Sequence, residues 1–141
     1  MLLADVNVFV NAHRGDTTHH RLCDGWLASH LGGPETVGLN EMVLCSFVRI
    51  VTNPRIFVDP TPADVALDFC AAVLSAPGAQ VVSPGPRHWR AFDALCRTLR
   101  LHGNAVPDAY LAALALEHGA TLVTLDAAFR RFPGVRVAAP G

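Results

Sequence analysis

The sequence predicts an α/β fold, a short parallel sheet of about five strands with helices on both faces. Three observations carry this reading. Short apolar runs bounded by breakers alternate with longer segments of helical periodicity, the pattern of parallel strands joined by helical crossovers. Prolines and glycines punctuate these elements at intervals instead of pooling into a linker, and no internal repeat appears, so residues 1–141 read as a single domain. Apolar residues make up 51% of the chain and charged residues 16%, which is ample material for a core and excludes disorder.

Taken in order, residues 2–5 read as the first strand and 8–13 as a short helix, and a helix over 19–31 leads to the second strand at 36–39. Helices over 41–51 and 62–75 precede a third strand at 80–82. A helix over 86–101 and another over 107–118 lead to the fourth strand at 121–124, and a short helix at 127–132 precedes the last strand at 135–137. Pro62, Pro86 and Pro107 suit helix starts, where the missing N–H would have no partner anyway. The segment Ala-Tyr-Leu-Ala-Ala-Leu-Ala-Leu at 109–116 is apolar nearly all round and is expected as a buried central helix. On a wheel of roughly 100° per residue, Trp89, Phe92, Leu95, Cys96 and Leu99 share one side of the 86–101 helix while Arg87, Arg90, Arg97 and Arg100 share the other. That arginine face reads as solvated surface or as a set of RNA contacts.

Composition narrows the chemistry. All 11 basic residues are arginine, so Schiff-base and lysine-dependent phosphate-loop mechanisms are excluded. With 12 acids the formal net charge is −1, and any nucleic-acid contact must come from a local arginine patch. The uncharged stretch 69–86 is interrupted by Pro77, Gly78 and Pro84, so no membrane span is expected. Met1-Leu2-Leu3-Ala4-Asp5 lacks the basic region of a secretory signal and carries an early acid, which predicts a cytoplasmic protein. Cys23, Cys45, Cys70 and Cys96 lie 22, 25 and 26 residues apart, too far apart for a zinc site and too sparse for a stapled scaffold, and they are expected as buried free thiols.

The acids carry the functional signal. Asp5 closes the first strand, Glu41 opens the helix after the second, Asp108 follows Pro107 at a helix start, and Asp126 lies just beyond the fourth strand. In an open parallel sheet ligands bind in the crevice outside the carboxyl ends of the strands. Any one of these acids reads equally well as a helix cap or a complement to a helix dipole. Four carboxylates at one rim repel one another, and such a cluster is tolerated where a divalent cation binds. Oxygen-only ligands favour Mg²⁺ or Mn²⁺ over zinc.

At these positions the chain resembles the PIN-domain ribonucleases. Asp5-Val6-Asn7, Asn40-Glu41, Pro107-Asp108-Ala109 and Thr124-Leu125-Asp126 are similar to that family's ordered acidic set, and the likeness spans nearly the whole chain. It is strongest to the VapC-type toxins of bacterial toxin–antitoxin pairs, which Arg49-Ile50-Val51-Thr52-Asn53-Pro54 and the 109–115 segment also resemble. The resemblance implies a PIN-like three-layer fold and Mg²⁺- or Mn²⁺-dependent endoribonuclease activity, with Asp5, Glu41, Asp108 and Asp126 as catalytic and metal-holding acids. Asn7, Thr124 and Asn104 match its supporting polar positions. It further implies an RNA substrate, a small antitoxin partner and a homodimer. The alternative is a catalytically degenerate PIN fold that binds RNA or a partner without cutting. Phosphoacceptor receiver domains need a lysine that is absent, and haloacid-dehalogenase-type phosphatases need an aspartate where Asn7 stands.

Overall fold

In the computed structural model, which describes residues 1–141, five strands of three residues each form one parallel sheet. They are β1 (Leu2–Ala4), β2 (Val37–Leu39), β3 (Ala79–Val81), β4 (Thr121–Val123) and β5 (Arg136–Ala138), in the order β3-β2-β1-β4-β5. Helices α1 (Val6–His13) and α2 (His20–Leu31) join β1 to β2, and α3 (Glu41–Val51) and α4 (Ala63–Leu74) join β2 to β3. Helices α5 (His88–Thr98) and α6 (Val106–His118) carry the chain back across the sheet to β4. Because parallel crossovers are right-handed, the outward run β1-β2-β3 and the return to β4 place their helices on opposite faces, giving three layers. Helix α1 accordingly packs on α2 and α3, while α5 packs on α6.

The core follows the apolar pattern. Leu3, Val37, Leu39 and Leu122 are inaccessible, as are Ala109, Ala112, Ala113 and Leu114 of α6. Alanine at three of those α6 positions brings the helix close to its neighbours at little cost in side-chain entropy. Phe9 and Phe47 fill the space on the α1–α3 side, each contributing on the order of 2 kcal/mol by burial. Gly119, at φ 61°, ends α6 in the left-handed conformation that glycine adopts freely.

The element boundaries differ from the sequence reading in physically explicable ways. Helix α1 starts at Val6 because Asp5 is its N-cap, its side chain accepting from the Val6 N–H. Helix α5 starts only at His88, and in the turn before it the Glu117 carboxylate accepts from the N–H groups of Gly85 and Arg87. It stops at Thr98, and Arg100 then takes φ 52°. Residues Ala127–Arg131 form a 3-10 helix, and a second 3-10 turn at Gly103–Ala105 leads into α6. All four cysteines are free, but only Cys23 and Cys70 are buried; Cys45 is exposed and Cys96 half-buried. Trp89, expected on the apolar side of its helix, is 70% exposed. No helix is long and apolar enough to cross a membrane.

Candidate active site at the carboxyl edge of the sheet

The chain leaves β1 toward β2 on one side and returns to β4 on the other, so the gap between the carboxyl ends of β1 and β4 is the switch point of the sheet. Ligand crevices form at such points. Asp5 follows β1, and Thr124 and Asp126 follow β4, which brings residues about 120 positions apart in sequence to one spot by topology alone.

Their side chains form one network. Asp5 Oδ1 accepts from the Val6 N–H at 2.7 Å, and its Oδ2 accepts from Thr124 Oγ1 at 2.8 Å and from Asn7 Nδ2 at 3.0 Å. Asn7 Nδ2 also donates to Thr124 Oγ1 at 3.0 Å, and Asn7 Oδ1 accepts from the Leu125 N–H at 3.1 Å. The Asp126 N–H donates to Thr124 Oγ1 at 3.0 Å, while Asp126 Oδ1 caps the 3-10 helix through the Ala128 N–H at 2.9 Å. Thr124 and Asn7 thus fix the orientation of Asp5 and tie the β1 and β4 ends together.

Asp108 enters from the first turn of α6 and shares with Asp5 a cavity of about 600 Å³, also lined by Asn40, Ser46, Arg49 and Asn104. Burial pushes the Asp5 carboxyl above the ordinary carboxylate range; its hydrogen bonds oppose this, and the charge of Asp126 adds to it. Asp108 is raised as well, first by burial and then by the Asp5 charge, with Asp126 adding and Arg131 opposing. Arg131 Nη2 reaches Asp108 Oδ2 at 3.2 Å. Asp5 and Asp108 therefore both feel the charge of Asp126, which is itself exposed and caps a helix, and Asp108 also feels that of Asp5.

Glu41 is not brought to this group. It is exposed at the start of α3 and lines a second groove with Leu44, Cys45 and Val48, toward Leu67 and Cys70 of α4. The cavity is instead faced by Asn40, Val43, Ser46 and Arg49, which recur at helical spacing on the other stripe of α3. Asn40 itself caps α3 through the Met42 and Val43 N–H groups and donates to the Val82 carbonyl at 3.0 Å. Ser46, Arg49, Tyr110 and Arg131 were given no site role by the sequence reading. The first two continue the three-residue spacing of Asn40 and Val43 into the helix.

The donor set is open where the resemblance implies a divalent cation. No three His, Cys, Asp or Glu side chains converge closely enough to form a ready cage. Asp5 and Asp108 nonetheless supply two hard oxygen donors whose mutual repulsion a cation would relieve. Mg²⁺ retains several waters and is held by one or two carboxylates, so this pair fits it. Along the arginine face, Arg97 pairs with Asp93 at 2.9 Å, whereas Arg87, Arg90 and Arg100 have no acidic partner.

The chain is similar to known proteins along nearly its whole length. The family model of the PIN domain matches residues 2–135. "VapC ribonuclease Mb2897" of Mycobacterium bovis is 43% identical over 136 residues, covering 96% of this chain and 92% of that protein. "Ribonuclease VapC25" of Mycobacterium tuberculosis is 41% identical, covering 96% of each. Among solved structures, that of VapBC2 from Rickettsia felis bound to a promoter DNA fragment superposes with a TM-score of 0.72 at 18% identity, covering 98% of this chain and 97% of that one. VapC20 of Mycobacterium tuberculosis, described as a sarcin-ricin loop cleaving toxin, gives 0.68 at 20% identity over 96% and 99% of the two chains. At such identities the superpositions establish the fold, and with the family match and the sequence relatives they lead to one conclusion: the chain belongs to the PIN domain family.

Proposed function

We propose that this protein is an Mg²⁺- or Mn²⁺-dependent endoribonuclease that acts as the toxin of a toxin–antitoxin pair. The observation that carries the reading is the pairing of Asp5 with Asp108 in one cavity at the switch point, each carboxylate raised above its ordinary pKa. Relatives named as VapC ribonucleases support it along nearly the full chain. Structures of VapBC complexes support a small protein antitoxin as partner, and the cytoplasm and a homodimeric state are part of the same proposal.

Asp5 and Asp108 would hold the cation, with Asp126 contributing charge from the rim and Glu41 outside the cavity. When bound, the cation lowers the pKa of a water and neutralises charge that develops on the phosphate during hydrolysis. The chain's own side chains do the rest. Thr124 and Asn7 keep Asp5 in one orientation on the cavity wall, so its carboxylate needs no rearrangement to meet a cation. Arg49 on the cavity wall and Arg131 at Asp108 bring two cations beside the acids, where an RNA phosphate would otherwise meet only negative charge. Phe92 and Tyr110 form an apolar wall that keeps bulk water from one side.

The test is cleavage of a structured RNA by purified protein. Cleavage is expected with Mg²⁺ or Mn²⁺ and not in EDTA, and Asp5→Asn or Asp108→Asn should abolish it while circular dichroism stays unchanged. Cleavage in EDTA, or full activity in both variants, would overturn the proposal. A melting temperature that rises with Mn²⁺ while no RNA is cut would favour the degenerate binding module.

A further inference from the structure

The two tryptophans of this chain have opposite surroundings. Trp26 is 7% exposed and stacked on His30 at 4.6 Å between ring centroids. Trp89 stands on α5 with 70% of its surface exposed. A ring left that far in solvent contributes little to folding, since most of its apolar area never leaves water.

Its position is informative. At roughly 100° per residue Trp89 lies about 60° from Phe92 and about 40° from Asp93, at the boundary between the packed and the charged sides of α5. Toward the packed side the aromatic contacts continue without a gap. Trp89 lies against Phe92 at 5.2 Å, Phe92 against Tyr110 at 6.3 Å, and Tyr110 against His88 at 4.5 Å. His88 is anchored through Nε2 to the Tyr110 carbonyl at 2.9 Å, which fixes this row to α6 two residues beyond Asp108. Phe92 and Tyr110 line the cavity that holds Asp5 and Asp108. Toward the charged side stand Arg90, without an acidic partner, and Arg97, shared with Asp93.

We infer that Trp89, backed by Phe92, is a stacking platform for an unpaired RNA base next to the phosphate bound at the acids. The inference rests on the nuclease reading for the identity of the ligand and adds the element that selects unpaired over paired RNA. An aromatic row leading out of an acid cavity and flanked by guanidinium groups, that of Arg90 without an acidic partner, suits one ligand chemistry. A nucleotide strand presents π-faces and phosphates in alternation, and every base offers a face to stack on. A paired base keeps both faces inside its own helix, so a duplex gains nothing from such a ring. Trp89 is a positioning residue here, because it touches the substrate away from the reacting atoms.

The experiment measures binding in EDTA, where no cleavage intervenes. The probe is a fluorescein-labelled single-stranded RNA of about ten nucleotides, within the site sizes of stacking grooves, compared with the same strand annealed to its complement. The single strand should quench the native tryptophan emission, and the duplex should not. Trp89→Ala should weaken single-strand binding by about tenfold, and Trp89→Phe should recover most of the loss. Trp89→Ala should leave the salt slope of binding unchanged while Arg90→Ala lowers it by about one, since only the arginine releases a counterion.

Equal affinity of native protein and Trp89→Ala, or no binding of the native chain to any single strand, overturns the inference. A change in oligomeric state or a steep drop in melting temperature for Trp89→Ala also overturns it, because the ring would then belong to a protein interface. Failure of the parent reading has a separate signature. If quenching persists but the native protein cuts no RNA with Mg²⁺ or Mn²⁺, the platform stands and the nuclease assignment falls.

Discussion

Helix α6 carries a carboxylate in its first turn and another in its last, and the two live under opposite conditions. Asp108 is half-buried beside two other acids, with one arginine at its edge, and its pKa is raised by burial and by its neighbours. Glu117, with a side chain only 5% exposed, accepts from the Gly85 N–H at 2.7 Å and the Arg87 N–H at 2.9 Å, and these bonds hold its pKa below the usual glutamate value. One carboxylate costs the folded state free energy when ionised, and the other supplies it. A fold keeps the first kind where charge density serves a ligand and the second where backbone donors need a partner.

The largest expected effect comes from neutralising the first kind. Asp108→Asn should lower metal-dependent RNA cleavage by at least about 10²–10³-fold, the scale of losing a preorganised electrostatic contact. Its stability should move the other way. Asp5 and Asp108 bind protons more tightly in the folded chain, so their contribution is most favourable below the ordinary carboxylate pKa and is lost as pH rises through the raised values. In EDTA at neutral pH, Asp108→Asn should therefore melt at or above the native protein, and the two curves should converge on acidification. The lost pair with Arg131 is partly exposed and offsets little of this. Strong destabilisation of Asp108→Asn in EDTA would make Asp108 an ordinary helix-end residue and erase the contrast with Glu117.

Thr124→Val tests the frame around the acids rather than the acids themselves. It removes the hydroxyl that donates to Asp5 Oδ2 and that accepts from Asn7 and the Asp126 N–H. Asp5 should lose orientation and rise further in pKa. Losses of this kind weaken metal binding by roughly 10- to 100-fold, which a Mn²⁺ titration followed by thermal melting would read as a shift of the midpoint to higher Mn²⁺.

Much of this frame was legible before the structure. Asp5, Asn7, Thr124 and Asp126 flank two strands that alternate with helical segments, and parallel topology alone assembles them. The order of the strands was not legible, because three-residue strands carry no pairing signal of their own and the order depends on long-range contacts. The start of α5 was misplaced because Pro86 is a good first-turn residue locally, whereas the helix begins only at His88, after a turn whose Gly85 and Arg87 N–H groups bond to the distant Glu117 carboxylate. Glu41 follows a different logic. Its phase on α3 matches Leu44, Cys45 and Val48, three, four and seven residues on, and that stripe faces the groove against α4.

Glu117 supplies the next test. Glu117→Ala strands two backbone donors that only water can then satisfy, and an expected loss of about 1–2 kcal/mol matches the removal of a helix cap. Glu117→Gln keeps an acceptor and should lose less. The pH dependence should oppose that of Asp108: the stability from Glu117 is fully present above the ordinary glutamate pKa and is lost as pH falls through the lowered value. Urea melts of native protein and Glu117→Gln across the acidic range would show the gap closing as pH falls.

The smallest effect is expected at Glu41, and it decides how many acids the site has. Resemblance to the PIN family places an acid there, whereas the geometry leaves the side chain exposed on a groove that neither Asp5 nor Asp108 lines. Burial and two neighbouring charges, Asp5 and Asp126, already raise the pKa of Asp108, and Glu41 is not among the causes. Glu41→Gln should thus change cleavage and the Mn²⁺-induced rise in melting temperature by less than about twofold, within the small range of surface substitutions. A tenfold or larger loss of cleavage, together with a weakened response to Mn²⁺, would show that the first turn of α3 swings toward the cavity when the cation binds. Glu41 would then join Asp5 and Asp108, and the open two-carboxylate arrangement would be the ligand-free form of a tighter site.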